Sequence, residues 1–341
     1  MLKDLEPLSN LYSGFNCINL SISNILKYKN YPYFKSIWKQ CGIHFFLPID
    51  NSLGRLNGHY IPLKDELNLV HGIVLQNEEE NDLETYISKV SKLVELGEPV
   101  FIYVDSYKLN HTNTPNSMLH CLLVTGVEQD AFLVVDDAYN FKGKISKTEL
   151  YQSTKFDYGW PKKWTVSPNY SYISLNSATY ELNENDYYHI ISLNNKINNN
   201  NVSDEELKTI FNIPEDYNLI MGVEGMKAFS NNCKEYVRSN TLNRPIFNKL
   251  YSDLSNVANV HYLYAEFLKE AAVFNKEFLN LSEEYQHLGQ GWKVASNMML
   301  KGMMKRHEEM MERMLNKVTS LIPEAERVFE ISLDFEKEFI S

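Results

Sequence analysis

Cysteine is scarce in this chain: four among 341 residues, at positions 17, 41, 121 and 233, with no C-x-x-C pair. That spacing argues against a zinc site or a disulfide framework, and the four read as free thiols of a reducing compartment. Positive charge is also short. Lys and Arg number 33 against 44 Asp and Glu, a net charge of −11. This argues against a generic nucleic-acid binder, which needs clustered cations to neutralise phosphate, and leaves room only for a local basic patch. Long apolar runs are missing too. No stretch approaches the ~20 residues of a membrane span, and the opening "MLKDLEPLSN" has no apolar run of signal-peptide length. The expected address is therefore the cytoplasm, with no membrane and no nucleic acid among the partners.

Several chemistries fail on spacing. "HEEMM" (His307–Met311) lacks the second histidine of H-E-x-x-H, "KGKIS" has no upstream glycine for a phosphate loop, and neither G-x-G-x-x-G nor G-x-S-x-G occurs. The seven methionines between Met298 and Met314 fall at helical spacing and read as core filler rather than adaptable binding surface.

What is present suits a large fold. The chain is 44% apolar and 23% charged, with 22 Tyr and 17 Phe, and its length suggests two domains. The first ~195 residues read as α+β. A helix starts near Cys17, a second covers "LETYISKVSKLVELG" and ends at Gly97, and "EPVFIYVD" has strand composition. "HCLLVTGVEQDAFLVVDD" reads as an antiparallel hairpin, with further strands at "YSYISL" and "DYYHIISL". The tract "NNKINNNNVSDEE" is polar and of low complexity, placing a linker at 196–206. Ser203 and Glu206 form a capping-box pattern at its end. From residue 207 to 341 helical periodicity dominates, most strongly in "VANVHYLYAEFLKEAAVFNKEFL" and "WKVASNMMLKGMMKRHEEMMERMLNKVTSLI".

Cys17 sits where a polar run gives way to the helical spacing of Ile18, Ile22, Ile25 and Leu26. A thiol attacks as the thiolate, whose pKa of about 8.5 falls at a helix N-terminus or beside an imidazolium. The unpaired N–H groups of a first turn favour negative charge there and on an attacked carbonyl. Taken alone, such a cysteine is more often a small buried hydrophobe. His120 changes the balance, because it opens the strand "HCLLVTGV", and after the turn "FLVVDD" brings Asp136 back beside it. A carboxylate next to an imidazole fixes its tautomer and stabilises the imidazolium, although Asp136 and Asp137 equally suit a solvated strand end. Cys121 is a poorer nucleophile, since strand alternation turns it to the face opposite His120. Cys41, with His44 three residues on, and Cys233, on a helix, read as packed.

"FNCINLSISNILKY" together with "HCLLVTGVEQDAFLVVDD" resembles the N-terminal domain of the butirosin-type aminoglycoside acyltransferase family, divergent relatives of the bacteriocin-exporter leader peptidases with a papain-like fold. The helical half, with a "GMKAF" turn near Gly225, resembles the region that follows that domain. The Asn- and Lys-rich character is similar to the closthioamide-type papain-like amide synthases. The resemblance implies a papain-like catalytic domain over 1–195, with Cys17 as nucleophile, His120 as general base and acid, and Asp136 as orienter. The peptidase relatives carry a glutamine six residues before the cysteine for the oxyanion hole; here that position is Leu11, and Asn16 or Ser13 would have to substitute.

The resemblance further implies transfer of an acyl group from the phosphopantetheine thioester of a carrier protein, through a Cys17 acyl-enzyme, to an amine in natural-product biosynthesis (nonribosomal peptide or aminoglycoside), with no bound cofactor or metal. The helical domain would then cover the site against water, and Asp137 or Glu128 would hold a cationic amine. Carrier docking would use a local cationic patch such as Lys27 with Lys29, Lys35 with Lys39, Lys162 with Lys163, or Lys301 with Lys305 and Arg306. A cysteine peptidase or amidohydrolase with the same triad, and a non-catalytic carrier-binding module, are the alternatives. Tyrosine- and methionine-rich helices are compatible with a homodimer.

Overall fold

The computed structural model is an α+β protein with antiparallel sheets and a helical C-terminal region. It describes all residues except 1, 3–4, 9–15, 32–33, 51, 115–116, 118, 158–164, 167–168, 176–182, 204–214, 305–306 and 340–341. In chain order its elements are α1 (Cys17–Tyr28), β1 (His44–Pro48), β2 (Arg55–Asn57), α2 (Leu63–His71), β3 (Ile73–Glu79), α3 (Leu83–Glu95), β4 (Val100–Asp105), β5 (Leu119–Val127), β6 (Ala131–Asp136), β7 (Phe141–Ser146) and α4 (Lys147–Ser153). There follow β8 (Phe156–Asp157), β9 (Thr165–Val166), β10 (Asn169–Leu175), α5 (Glu184–Asn198), β11 (Tyr217–Met221), α6 (Gly222–Ser239), α7 (Arg244–Ala271), α8 (Glu277–Gly302) and α9 (His307–Phe339). Among the described residues no helix is long and apolar enough to cross a membrane.

Two units emerge, each assembled from two stretches of chain: 1–37 with 63–181, and 38–62 with 182–341. This differs from a division at a 196–206 linker. Residues 38–62 belong with the later half because β1 pairs on one side with β11, from His44 opposite Met221 to Pro48 opposite Tyr217. The second unit is therefore not purely helical.

The first unit holds a six-stranded sheet in the order β3-β10-β4-β5-β6-β7, every neighbour antiparallel. Strand alternation sends Val100, Ile102, Val104, Leu122, Val124, Phe132 and Val134 to one face, where they pack with Tyr86, Val90 and Val94 of α3. Each such side chain contributes about 1.5–3 kcal/mol on burial. Helix α1 packs against β5, burying Leu20, Ile22, Ile25 and Leu26. Its start is fixed by Asn16, whose Oδ1 accepts the Ile18 N–H at 2.8 Å. Its end is fixed by Asn30 at φ 57°, after which the Tyr31 N–H returns to the Leu26 carbonyl. Helix α3 stops at Gly97, φ 88°, as expected.

In the second unit β11, β1 and β2 form a three-stranded antiparallel sheet, and α7, α8 and α9 pack side by side. "DYYHIISL" is not a strand but the start of α5. Asn183 and Asp186 cap that helix reciprocally, and Tyr187, Ile190, Ile191 and Ile197 line its buried face. The tract read as a linker begins inside the same helix, and Asn194 and Asn198 do structural work there. The Asn194 side chain accepts the Cys41 N–H at 3.0 Å and donates to the Lys39 carbonyl at 2.9 Å. One turn on, Asn198 accepts the Ile43 N–H at 3.1 Å and donates to the Cys41 carbonyl at 3.0 Å. Glu206 of the expected capping box lies outside the described residues. "GMKAF" is helical, within α6, and not a turn. The turn precedes it at Gly222, φ 60°, where a Cβ would lie 1.9 Å from the Asn198 carbonyl oxygen. Met299, Met311 and Met314 are core, whereas Met304 is exposed.

Candidate active site

Three elements of the first unit bring the chemistry together: the N-terminus of α1, the start of β5 and the end of β6. Cys17 is the first helical residue and is partly exposed. The hairpin pairs Val124 with Val134 and Leu123 with Val135, so His120 and Asp136 come together at its open end. The His120 Nε2 lies 2.8 Å from the Asp136 Oδ2, and both side chains are almost fully buried. With Nε2 on the carboxylate, Nδ1 is the ring nitrogen left for the thiol.

The groups shift one another strongly. Hydrogen bonds from the Cys121 side chain, then from His120 and the Cys121 backbone N–H, hold the Cys17 thiol well below its ordinary range against the opposing effect of burial. Burial would strip the proton from His120, but bonding to Asp136 and Cys17 outweighs it and raises the imidazole to about 10. For Asp136, burial opposes ionisation and the bonds from His111 and His120 overcome it, lowering the carboxyl to about 2. These directions, a lowered thiol beside a raised imidazole with a lowered carboxyl behind the ring, favour a thiolate–imidazolium pairing of Cys17 with His120.

Cys121 does turn to the α1 face of the sheet, where its Sγ is 3.5 Å from the Ser21 Oγ. Cys17 is reached from that face as well, so alternation brings Cys121 beside the nucleophile candidate instead of removing it. Burial, and then its neighbour Cys17, push the Cys121 thiol well up.

Asp136 makes more contacts than a hairpin neighbour requires. Its Oδ1 accepts the backbone N–H groups of Ala138 and Tyr139, both at 3.2 Å. Its Oδ2 meets a second imidazole, the Nε2 of His111, at 2.8 Å. The His111 ring stacks on Phe141 with centroids 4.1 Å apart, and Tyr139 stands edge-on to both histidines. Sequence reasoning passed over His111. It lies in the aperiodic stretch "YKLNHTNTPN", whose only signal was the presence of a histidine among nine.

Other expected residues fall elsewhere. Asp137 faces inward, fully buried: its Oδ1 accepts the Leu8 N–H at 2.7 Å and the Asn24 side chain at 3.1 Å, tying the N-terminal stretch to α1. It is not placed to hold an incoming amine. Glu128 pairs with Lys144 at 2.7 Å on the surface. Asn16 spends its Oδ1 on the helix cap, leaving Nδ2 as the donor for an oxyanion. Leu11 and Ser13 lie outside the described residues. Cys41 and Cys233 belong to the second unit, buried, with burial raising both thiols, and burial keeps His44 neutral. Among the cationic pairs, Lys27 is exposed, Lys29 is bound to Glu98, and Lys39 is buried. Lys162, Lys163, Lys305 and Arg306 lie outside the described residues.

Chemically, the arrangement offers a thiol shifted toward ionisation on a partly exposed residue, a buried imidazole and a fixed carboxylate, with first-turn N–H groups beside the cysteine. No protein-family model and no curated protein matches the chain.

Proposed function

We propose that the first unit is a papain-like cysteine enzyme and that the protein is an acyltransferase, an amide synthase of natural-product assembly. Its donor is an acyl thioester on the phosphopantetheine of a carrier protein, and its acceptor is an amine. One observation carries this: the thiol of Cys17, a partly exposed residue at a helix N-terminus, has its proton drawn toward an imidazole that Asp136 holds from behind.

In the first half-reaction the Cys17 sulfur attacks the thioester carbonyl. The bond from carbonyl carbon to pantetheine sulfur breaks, and His120 gives its proton to the departing thiol. Exchange of one thioester for another is nearly isoenergetic, so no ATP is needed. In the second, the amine attacks the same carbonyl, His120 takes its proton, and the Cys17–acyl bond breaks as the amide forms. The Cys17 N–H and the Asn16 Nδ2 serve as the oxyanion donors in this reading. Water competes with the amine, so holding the amine in line, worth roughly 7–11 kcal/mol in such reactions, separates a transferase from a hydrolase.

The test is intact mass spectrometry of the enzyme with an acyl-pantetheine thioester, with and without amines. The expected result is an acyl adduct on Cys17, absent in Cys17→Ala, which amines discharge to amide. Discharge only by water would make the protein an amidohydrolase or peptidase of the same triad. No adduct, together with unchanged function in Cys17→Ala, would make it a carrier-binding module.

A further inference from the structure

We infer that His111 is a positioning residue of the active site, donating its Nε2–H to Asp136 so that the carboxylate is fixed for His120. This rests on the reading of Cys17 and His120 as a reactive pair and extends it to a residue outside the triad.

The geometry is specific. Both imidazoles reach the same oxygen, Oδ2, at 2.8 Å, and the two backbone N–H groups fill Oδ1. An ionised carboxylate only accepts, so both Nε2 atoms must carry protons. Four donors therefore hold the carboxylate, and charge-assisted bonds of this kind are roughly twice as strong as neutral ones. His111 itself is held by its stack on Phe141 and by a pinned loop. The Asn110 N–H donates to the Glu149 side chain at 3.1 Å, Thr112 returns to the Leu109 carbonyl at 3.0 Å, and Ser117 donates to Asp105 at 2.7 Å. Asn113 takes up the left-handed conformation, φ 53°, that lets the loop turn just after His111. A loop built only to span β4 and β5 has no need to deliver a part-buried imidazole to a carboxylate that already has one.

The titratable groups around this centre are Cys17 of α1, Tyr103 of β4, His120 and Cys121 of β5, Asp136 and Asp137 at the end of β6, Tyr139 beyond it, and His111. Without the His111 donor, Oδ2 keeps one of its two side-chain partners and the carboxylate can rotate off the line to His120. The imidazolium then loses support, and the thiol must ionise alone.

The experiment compares the full-length protein with His111→Gln, which retains an N–H donor at the same reach, and His111→Phe, which keeps an aromatic ring on Phe141 without the donor. His111→Met serves if the phenyl ring prevents folding, and circular dichroism establishes that each variant is folded. The readout is the midpoint of the pH–rate profile for iodoacetamide alkylation of Cys17. The midpoints of the parent and His111→Gln are expected to agree. The midpoint of His111→Phe should lie about one pH unit higher, a tenfold change in the ionisation constant of the thiol. A midpoint for His111→Phe equal to the parent's, or a rise in His111→Gln as large as in His111→Phe, overturns the positioning role and leaves the reactive pair standing. A parent midpoint no lower than that of a free cysteine overturns both.

Discussion

Asp136 and His120, sixteen residues apart, are joined at 2.8 Å because a hairpin folds one strand's start onto the next strand's end. The pairing puts a carboxylate directly behind an almost fully buried ring, and its bond works against burial to raise the imidazole.

Asp136→Asn removes that charge while keeping the shape. The His120 imidazole should then fall from about 10 towards its ordinary value, and the Cys17 thiolate should lose its counter-ion at neutral pH. The midpoint of the pH–rate profile for Cys17 alkylation is expected to rise by at least about one pH unit. An unchanged midpoint would mean that the carboxylate does not support the pair.

Cys121→Ala tests the contact that lowers the Cys17 thiol most. Without the neighbouring S–H and its placement of the backbone N–H, the midpoint of Cys17 alkylation should move to higher pH. A pH–rate series with iodoacetamide measures it, and a midpoint equal to the parent's refutes the contribution.

Asp137 should make the protein's stability depend on pH in a recognisable sense. Burial raises its carboxyl to about 7 in the folded protein, over the opposing bonds from Leu8 and Asn24, against about 3.9 in an unfolded chain. Between those values the folded state holds the proton and the unfolded state does not, so stability falls as pH rises from about 4 to 7 and is level above. Asp137→Asn removes that slope. Its melting temperature relative to the parent should therefore be more favourable at pH 7.5 than at pH 5. The reverse order in thermal melts would contradict the raised carboxyl.

Asn194→Ala and Asn198→Ala each strip a donor and an acceptor from the buried backbone of residues 39–43. An unsatisfied buried polar group costs about 1–3 kcal/mol, so each variant, stranding one N–H and one carbonyl, should lose roughly 2–6 kcal/mol in urea unfolding. Ala at the exposed Asn201 of the same tract should cost little.

The difference between Asn194 and Asn201 explains what the sequence did and did not disclose. Local patterns survived: the α1 start at Asn16–Cys17, the α3 stop at Gly97 and the β5–β6 hairpin are all set by residues within a few positions of one another. "DYYHIISL" misled because its β-branched and aromatic content outweighed the Asn183–Asp186 cap that decides its helix. The run of asparagines looked like linker because composition cannot show that Asn194 and Asn198, one turn apart, face the backbone of a segment more than 150 residues away. The pairing of β1 with β11 was hidden for the same reason. In the site, Cys17, His120 and Asp136 were legible from helix-start and hairpin logic. His111 was not, because an aperiodic loop carries no signal for where its side chains arrive.

The exchange of segments between the two units has a consequence for how the polypeptide can be divided. Each unit draws on two separated stretches, so no single scission releases both intact. A fragment ending near residue 195 would retain β1 and β2 but strand them without β11 and the long helices that complete their unit. During synthesis on the ribosome, β1 must wait until Tyr217–Met221 has emerged before its second edge is covered, so that hydrophobic strand stays half-paired until late in translation.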